Sequence, residues 1–243
     1  MPNPTAAILV IGDEILTGRT REGNAHFLAG ELARAGIDLG EVRVVPDDHD
    51  RIVEAVNALR SRFDHLFTSG GIGPTHDDIT ADAIAAAFGL PLAVREDARA
   101  ILAAHYDKTG LELNAARLRM ARIPEGATLI ENPISAAPGF TLGNVHVMAG
   151  VPNIFQAMVA SVLPQLTGGK PLLSQSLRLM RGEGMIAAEF GALAAEFPDL
   201  SLGSYPFVQN GAYGTNLVIR GTDAARINAA MARLAALFPD GTA

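Results

Sequence analysis

Residues Ala6–Ile11 form an unbroken apolar run, AAILVI, closed by Gly12. A strand with one wet face alternates apolar and polar residues, so an unbroken run implies a strand covered on both faces. A sheet of that kind needs helices on either side. The next segments supply them. Asn24–Ala35 places Phe27, Leu28, Leu32 and Ala35 at helical spacing, with Gly36 as a stop. Gly40–Val45 is rich in Val and reads as a second strand. Asp47, Asp48 or Asp50 can cap a helix whose inner face is Ile52, Val53, Val56 and Leu59. Leu66–Thr68 ends a short third strand. The loop Ser69–Asp78 follows, then an Ala-rich helix, Thr80–Phe88, ending at Gly89. Helical stretches near Arg95–Tyr106 and Asn114–Arg122, strands near Thr128–Ile130 and Val145–Met148, and a helix from Pro152 to near Pro164 complete a first domain over 1–165. The expected architecture is α/β, three layers around a mostly parallel sheet.

Leu166–Pro171 holds Gly168, Gly169 and Pro171 and reads as a linker. Past it the order changes. Ser176–Met180 reads as a strand, Gly184–Phe197 as a helix, Ser201–Phe207 and Asn216–Ile219 as strands, and Asp223–Phe238 as a helix. This β-α-β-β-α pattern predicts a small α+β domain over 172–243, structurally separate and without the site.

The chain has 243 residues and no Cys, which excludes disulfides, thiolate metal sites and Cys nucleophiles. A net charge of −7 argues against broad nucleic-acid binding, and the absence of Trp argues against base-stacking platforms. The start, Met-Pro-Asn-Pro-Thr, shows no basic segment ahead of the apolar run. That run is too short to span a bilayer. A cytoplasmic protein that binds neither membrane nor nucleic acid is expected.

Two loops stand where ligands bind in open α/β sheets, past the carboxyl ends of strands. Gly12-Asp13-Glu14-Ile15-Leu16-Thr17-Gly18 follows the first strand. Either Asp13 or Glu14 could orient a metal-bound water or a ligand hydroxyl, or could simply cap the next turn. The second loop is Ser69-Gly70-Gly71-Ile72-Gly73-Pro74-Thr75-His76-Asp77-Asp78-Ile79-Thr80. Its glycines let backbone N–H groups approach an anion, and the helix behind adds positive partial charge. Asp77 and Asp78 would repel a phosphate unless a hard divalent cation such as Mg²⁺ lay between. Alternatively, one of them caps the helix. The ligand read from this loop is a phosphoric anhydride or phosphomonoester, held by the N–H groups of Gly70–Gly73 and Gly150–Val151. A bulky residue at Gly71 is then expected to abolish binding with little loss of stability. The loop is not a dinucleotide fingerprint, because His76 stands at the third Gly position, nor a Walker loop, because Gly169-Lys170 runs into Pro171. Two further segments are weak alone: the rigid stretch Asn132-Pro133-Ile134-Ser135-Ala136-Ala137-Pro138-Gly139-Phe140, and the turn Ala149-Gly150-Val151-Pro152.

Taken in order, these four segments resemble the molybdenum-cofactor biosynthesis domain, the MoaB/Mog-type molybdopterin-binding family, and within it the competence/damage-inducible protein A (CinA-like) branch. The resemblance is strong over about 5–165, and Gly70–Thr80 is its most specific part. The tail, with Gly203-Ser204-Tyr205-Pro206, resembles the small KH-like domain of that branch. Ala149 replaces a usual Pro, Asn153 a frequent Glu, and Ser135-Ala136-Ala137 a usual Gly-Thr-Ala. The amidase domain of longer relatives is absent from this sequence, so that activity is not implied. What is implied is molybdopterin binding or adenylylation, or, in the CinA-like branch, metal-dependent pyrophosphatase action on ADP-ribose-like dinucleotides. A non-catalytic pterin-binding module is the remaining alternative. Asp78, at the family's Asp position, and then Asp13 are the implied catalytic residues, and both join Asp77 as implied ligands of Mg²⁺ or a similar ion. The implied substrate-binding positions are Glu14, Thr17, Gly18, Asn24, Ser69, Gly70, Gly71, Gly73, Pro74, Thr75, Asn132, Pro138, Gly139, Gly150, Val151 and Pro152. A homo-oligomer, dimer or trimer, is also implied.

Overall fold

The computed structural model describes residues 2–242. The chain divides into two compact units, the first ending at Gly169 and the second starting at Lys170. In the first, β1 (Thr5–Ile11), α1 (Asp13–Leu16), α2 (Asn24–Ala35), β2 (Asp38–Val45), α3 (His49–Arg60), β3 (His65–Ser69) and α4 (Thr80–Phe88) alternate as the sequence predicts. They are followed by β4 (Leu92–Val94), α5 (Glu96–Thr109), α6 (Ala115–Leu118), β5 (Arg122–Pro124), β6 (Thr128–Ile130), β7 (Gly139–Leu142), β8 (Val145–Met148) and α7 (Pro152–Val162). The main sheet has the order β2-β1-β3-β8-β7-β6. Its β2, β1, β3 and β8 are mutually parallel, while β7 and β6 run antiparallel.

The apolar run of β1 is buried residue by residue on alternating sides. Ala7, Leu9 and Ile11 pack with Ile52, Val56 and Leu59 of α3, Ile84 of α4 and Leu102 of α5. Ala6, Ile8 and Val10 pack with Leu28 and Leu32 of α2 and with Phe155, Met158 and Val159 of α7. Three layers result, as the uninterrupted run requires. Both α2 and α4 stop at glycines in left-handed geometry, Gly36 (φ 70°) and Gly89 (φ 65°).

Two stretches differ from expectation. The predicted helix at 114–122 is only α6 followed by a 3₁₀ turn, Arg119–Ala121. The chain then extends as β5, which pairs antiparallel with β4. The part of the rigid loop at Gly139–Phe140 is the start of β7, between β6 and β8. A Cβ on Gly139 would lie 2.3 Å from the Val147 carbonyl oxygen, so close strand packing accounts for that glycine.

The second unit contains β9 (Leu173–Leu179), α8 (Ala187–Glu196), β10 (Ser201–Gln209), β11 (Ala212–Gly221) and α9 (Ala224–Leu237). Its sheet, ordered β10-β11-β9, is antiparallel. Leu177, Leu179, Leu217 and Ile219 pack against Phe190, Leu193, Ile227 and Leu234. The hairpin turns at Asn210 (φ 51°) and Gly211 (φ 79°), the two positive φ values that suit a tight hairpin. Among the described residues no helix is long and apolar enough to cross a membrane.

Candidate functional site

Because β1, β2, β3 and β8 are parallel, their carboxyl ends emerge on one edge of the sheet, and the four chain segments that follow them line one cleft. Its volume is about 540 Å³. Gly12 and Glu14 come from β1, Asp47 from β2, Gly70–Pro74 with Asp77 and Asp78 from β3, and Ala149–Pro152 from β8. Asn132, Ser135 and Ala137 add a further wall.

The glycine-rich loop is held from behind. Gly70 N–H donates to the Met148 carbonyl (3.1 Å), which removes it from the set of anion donors expected from sequence. Thr80 N–H donates to the Gly71 carbonyl (3.0 Å), and the buried Thr80 hydroxyl donates to the Gly70 carbonyl (3.0 Å). The N–H groups of Gly71, Ile72 and Gly73 meet no protein acceptor among the described residues, and neither do those of Gly150 and Val151. The backbone turns sharply here, with φ 110° at Gly70 and 69° at Gly71. A Cβ on Gly70 would sit 2.2 Å from the Ile11 carbonyl oxygen, and one on Gly71 2.1 Å from the Thr80 hydroxyl. The expectation that a side chain at Gly71 would spare stability is therefore corrected: it would strain the backbone and strike a buried threonine.

Asn24, expected to touch ligand, is buried at the first position of α2. Its amide donates to the Ser69 hydroxyl (2.8 Å) and to the Gly150 carbonyl (2.8 Å), tying the β3 loop to the β8 loop. Those two loops approach closely, since a Cβ on Gly150 would lie 3.2 Å from the Gly70 Cα.

The acids are divided between two tasks. Neither Asp77 nor Asp78 caps α4, whose N-cap is Ile79 with no side-chain cap bond. Asp78 Oδ2 instead accepts from the Thr75 N–H (2.8 Å) and hydroxyl (2.6 Å), closing the turn after Pro74. Asp48 caps α3 by accepting from the Arg51 N–H (3.0 Å), which leaves Asp47 free to face the cleft. Asp47 Oδ2 accepts from the Asp13 N–H (3.0 Å). Burial raises the Asp47 carboxyl above the usual aspartate range, and the neighbouring carboxylates of Asp13, Glu14 and Asp77 push the same way, against the Asp13 hydrogen bond. Among the described residues no three His, Cys, Asp or Glu side chains converge as a metal cage. The carboxylates of Glu14, Asp47, Asp77 and Asp78 line the same cleft.

Of the positions expected from sequence, Glu14, Gly70, Gly71, Gly73, Pro74, Asp77, Asp78, Asn132, Gly150, Val151 and Pro152 line the cleft. Asp13, Thr17, Gly18, Asn24, Ser69, Thr75, Pro138 and Gly139 do not. The Thr17 hydroxyl donates to the Asp13 carbonyl (2.8 Å), and Gly18 turns the chain at φ 73°. Asn132 spends its side chain on its own loop: Nδ2 donates to the Ser135 hydroxyl and the Ala137 carbonyl, while Oδ1 accepts from the N–H groups of Ile134 and Ser135. Asp47, Thr20, Met120 and Ile154 line the cleft although sequence reasoning passed over them, treating Asp47 only as a candidate cap. The place of Asp47 directly after a predicted strand was the available signal.

An open, mostly parallel α/β sheet with a glycine-rich loop and unpaired N–H groups at its carboxyl edge defines a protein of the three-layer α/β class with its cleft at the strand ends. The family model described as probable molybdopterin binding domain matches residues 7–168, and the chain belongs to that family. A second model, described as FAD synthase, middle domain, matches residues 171–243. A protein of Caldivirga maquilingensis is 39% identical over 165 residues, covering 66% of this chain and 64% of its own length. A CinA-like protein of Citrifermentans bemidjiense is 38% identical over 67% of this chain, and the match takes in 40% of that relative. This chain thus spans less than two thirds of either relative. The crystal structure of CinA from Thermoplasma acidophilum, described as of unknown function, superposes with a TM-score of 0.62 at 35% identity, over 68% of this chain and 99% of that one.

Proposed function

We propose that the first unit binds a phosphorylated pterin or nucleotide and hydrolyses the phosphoric anhydride of ADP-ribose-like dinucleotides with the help of a divalent cation. The observation that carries the reading is the run of three unpaired N–H groups at Gly71, Ile72 and Gly73, at the end of β3 and ahead of α4. Such a run, beside a helix N-terminus, is suited to phosphoryl oxygens. Gly150 and Val151, at the start of α7, offer a second pair for a second phosphate. A bound Mg²⁺-like ion would supply Lewis-acid polarisation of a phosphoryl oxygen. Asp78 keeps one oxygen outside its Thr75 bonds, and Glu14 and Asp77 face the same space. Asp47, whose carboxyl is lifted by burial, is the group best suited to take the proton of an attacking water.

The test is a product assay on ADP-ribose, FAD and ATP across several divalent metals. Asp47→Asn and Asp78→Asn should each lower metal-dependent turnover by about 100-fold, roughly 2.7 kcal/mol of transition-state stabilisation. Asn at position 78 retains an oxygen for Thr75, so the thermal midpoint should hold. Undiminished turnover in Asp78→Asn would refute its metal role. The family's description as a probable molybdopterin binding domain favours a second reading, a pterin-binding module without turnover. Tight binding of a pterin phosphate with no hydrolysis of any substrate would establish it in place of the first.

A further inference from the structure

The cleft wall carries Glu14, Asp47, Asp77 and Asp78 and, among the described residues, no Lys or Arg. A phosphorylated ligand entering it meets four carboxylates and, in return, backbone N–H groups and the neutral polar side chains of Thr20, Asn132 and Ser135, but no cation. Two guanidiniums, those of Arg119 and Arg122, lie behind the glycine-rich loop. Arg119, in the 3₁₀ turn after α6, donates from Nη2 to the Asp78 carbonyl (3.2 Å). Its Nε is buried without an acceptor, one of two such side-chain atoms among the described residues, the other being Thr68 Oγ1. Among the described residues Arg119 makes no ion pair, whereas its neighbour Arg122 is neutralised by a two-pronged pair with Asp82. A buried N–H without an acceptor is costly and rarely retained.

Beside Arg119 is a small space of about 20 Å³, bounded by Gly71, Gly73, Asp78, Arg119 and the paired Asp82 and Arg122 among others. That is room for one oxygen atom. Gly71, Ile72, Gly73, Asp78 and Met120 line both this space and the main cleft, so the two adjoin across the glycine-rich loop. With no side chains at 71 and 73, the loop screens Arg119 only by its backbone.

We infer that Arg119 is the cationic anchor of the site, its positive charge attracting the phosphate of the ligand across the glycine-rich loop. The inference rests on the reading that the ligand is phosphorylated. A guanidinium suits the task because it stays charged at any working pH and presents donors in a fixed plane. Its hold on the Asp78 carbonyl keeps it aligned with the turn that carries the acids.

The experiment is calorimetric titration of the full chain and of Arg119→Gln and Arg119→Lys. One arm uses ADP-ribose, FAD and inorganic pyrophosphate without metal, and the other uses Mn²⁺ alone. Losing that charge should weaken the best-binding phosphorylated probe by about 10-fold or more in Arg119→Gln, with partial recovery in Arg119→Lys. Mn²⁺ alone should bind Arg119→Gln severalfold more tightly, because a repelling positive charge is gone. A merely structural role for Arg119 would loosen the acidic turn and weaken both arms. Unchanged affinity for the phosphorylated probe, or a loss unaccompanied by tighter Mn²⁺ binding, overturns the inference. Wild-type protein that takes none of the three probes would bring down the functional reading itself and this inference with it. That outcome is read on wild type alone and is separable from failure in the variants.

Discussion

Asn24→Ala should loosen both loops that flank the cleft at once. The Asn24 amide donates to the Ser69 hydroxyl and the Gly150 carbonyl at 2.8 Å each, from a side chain that is 5% exposed. Two intramolecular hydrogen bonds at about 1 kcal/mol each, plus the cost of a carbonyl left half-desolvated, give a loss of roughly 2–3 kcal/mol. The Ser69 hydroxyl can rotate to a new partner, whereas the Gly150 carbonyl cannot. At about 2–4 °C per kcal/mol for a unit of this size, the thermal midpoint of the first unit should fall by roughly 5–10 °C. Affinity for a phosphorylated ligand should fall by about 10-fold, because Gly70–Gly73 and Gly150–Val151 no longer share a brace. Asn24→Asp sharpens the test. It keeps the volume and can accept from Ser69, but it sets a carboxylate oxygen against the Gly150 carbonyl, so at neutral pH it should be less stable than Asn24→Ala. Urea unfolding and calorimetric titration on the three proteins measure both effects. A loss under about 0.5 kcal/mol in Asn24→Ala with unchanged affinity would refute the brace, as would an Asp variant as stable as wild type.

Burial holds the His146 imidazole down at about 4, and the adjacent His65 ring adds to the effect. The neutral form is favoured in the fold, so this contribution is complete above about pH 6.5 and is lost as pH falls toward 4. It amounts to roughly 3 kcal/mol, and His146→Gln should flatten the acid limb of the stability curve; equal slopes in both proteins would disprove the assignment. Gly71→Ala forces an L-residue to φ 69° and a Cβ against Thr80. It should cost at least about 2 kcal/mol as well as ligand affinity, and an Ala variant of wild-type stability would show that the loop relaxes freely.

Much of the fold was legible because the signals are local. The AAILVI run demanded cover on both faces, and β1 is buried alternately against α3 and α4 on one side and α2 and α7 on the other. Gly36 and Gly89 ended helices where expected. The cleft was legible in outline because ligands gather at strand ends and the glycine-rich loop follows one. Where the reading slipped, the signal was short or was overlooked. β4 and β5 have three residues each, too few for periodicity, and exist by pairing with each other. The Asn210-Gly211 turn was readable as a hairpin and would have given β10 and β11 their full length.

Sequence alone determined the three-layer class, the glycine-rich loop and the presence of acids beside it. These depend on residue order, on backbone freedom at glycine and on hydrophobic periodicity, all of which act within a few residues. Only the tertiary structure decided what each polar group does. Asn24 became a brace because Ser69 and Gly150, 45 and 126 residues away, come within hydrogen-bond reach of it. Asp47 joined the cleft because Asp48 took the cap and the parallel pairing of β1 with β2 brought it to the Asp13 N–H. Gly139 is explained by the backbone of β8, and Arg119 by the back of a loop about 40 residues earlier in the chain. The strength of a hydrogen bond or of a charge depends on distance and burial in space, and neither is recorded in the order of residues along a chain.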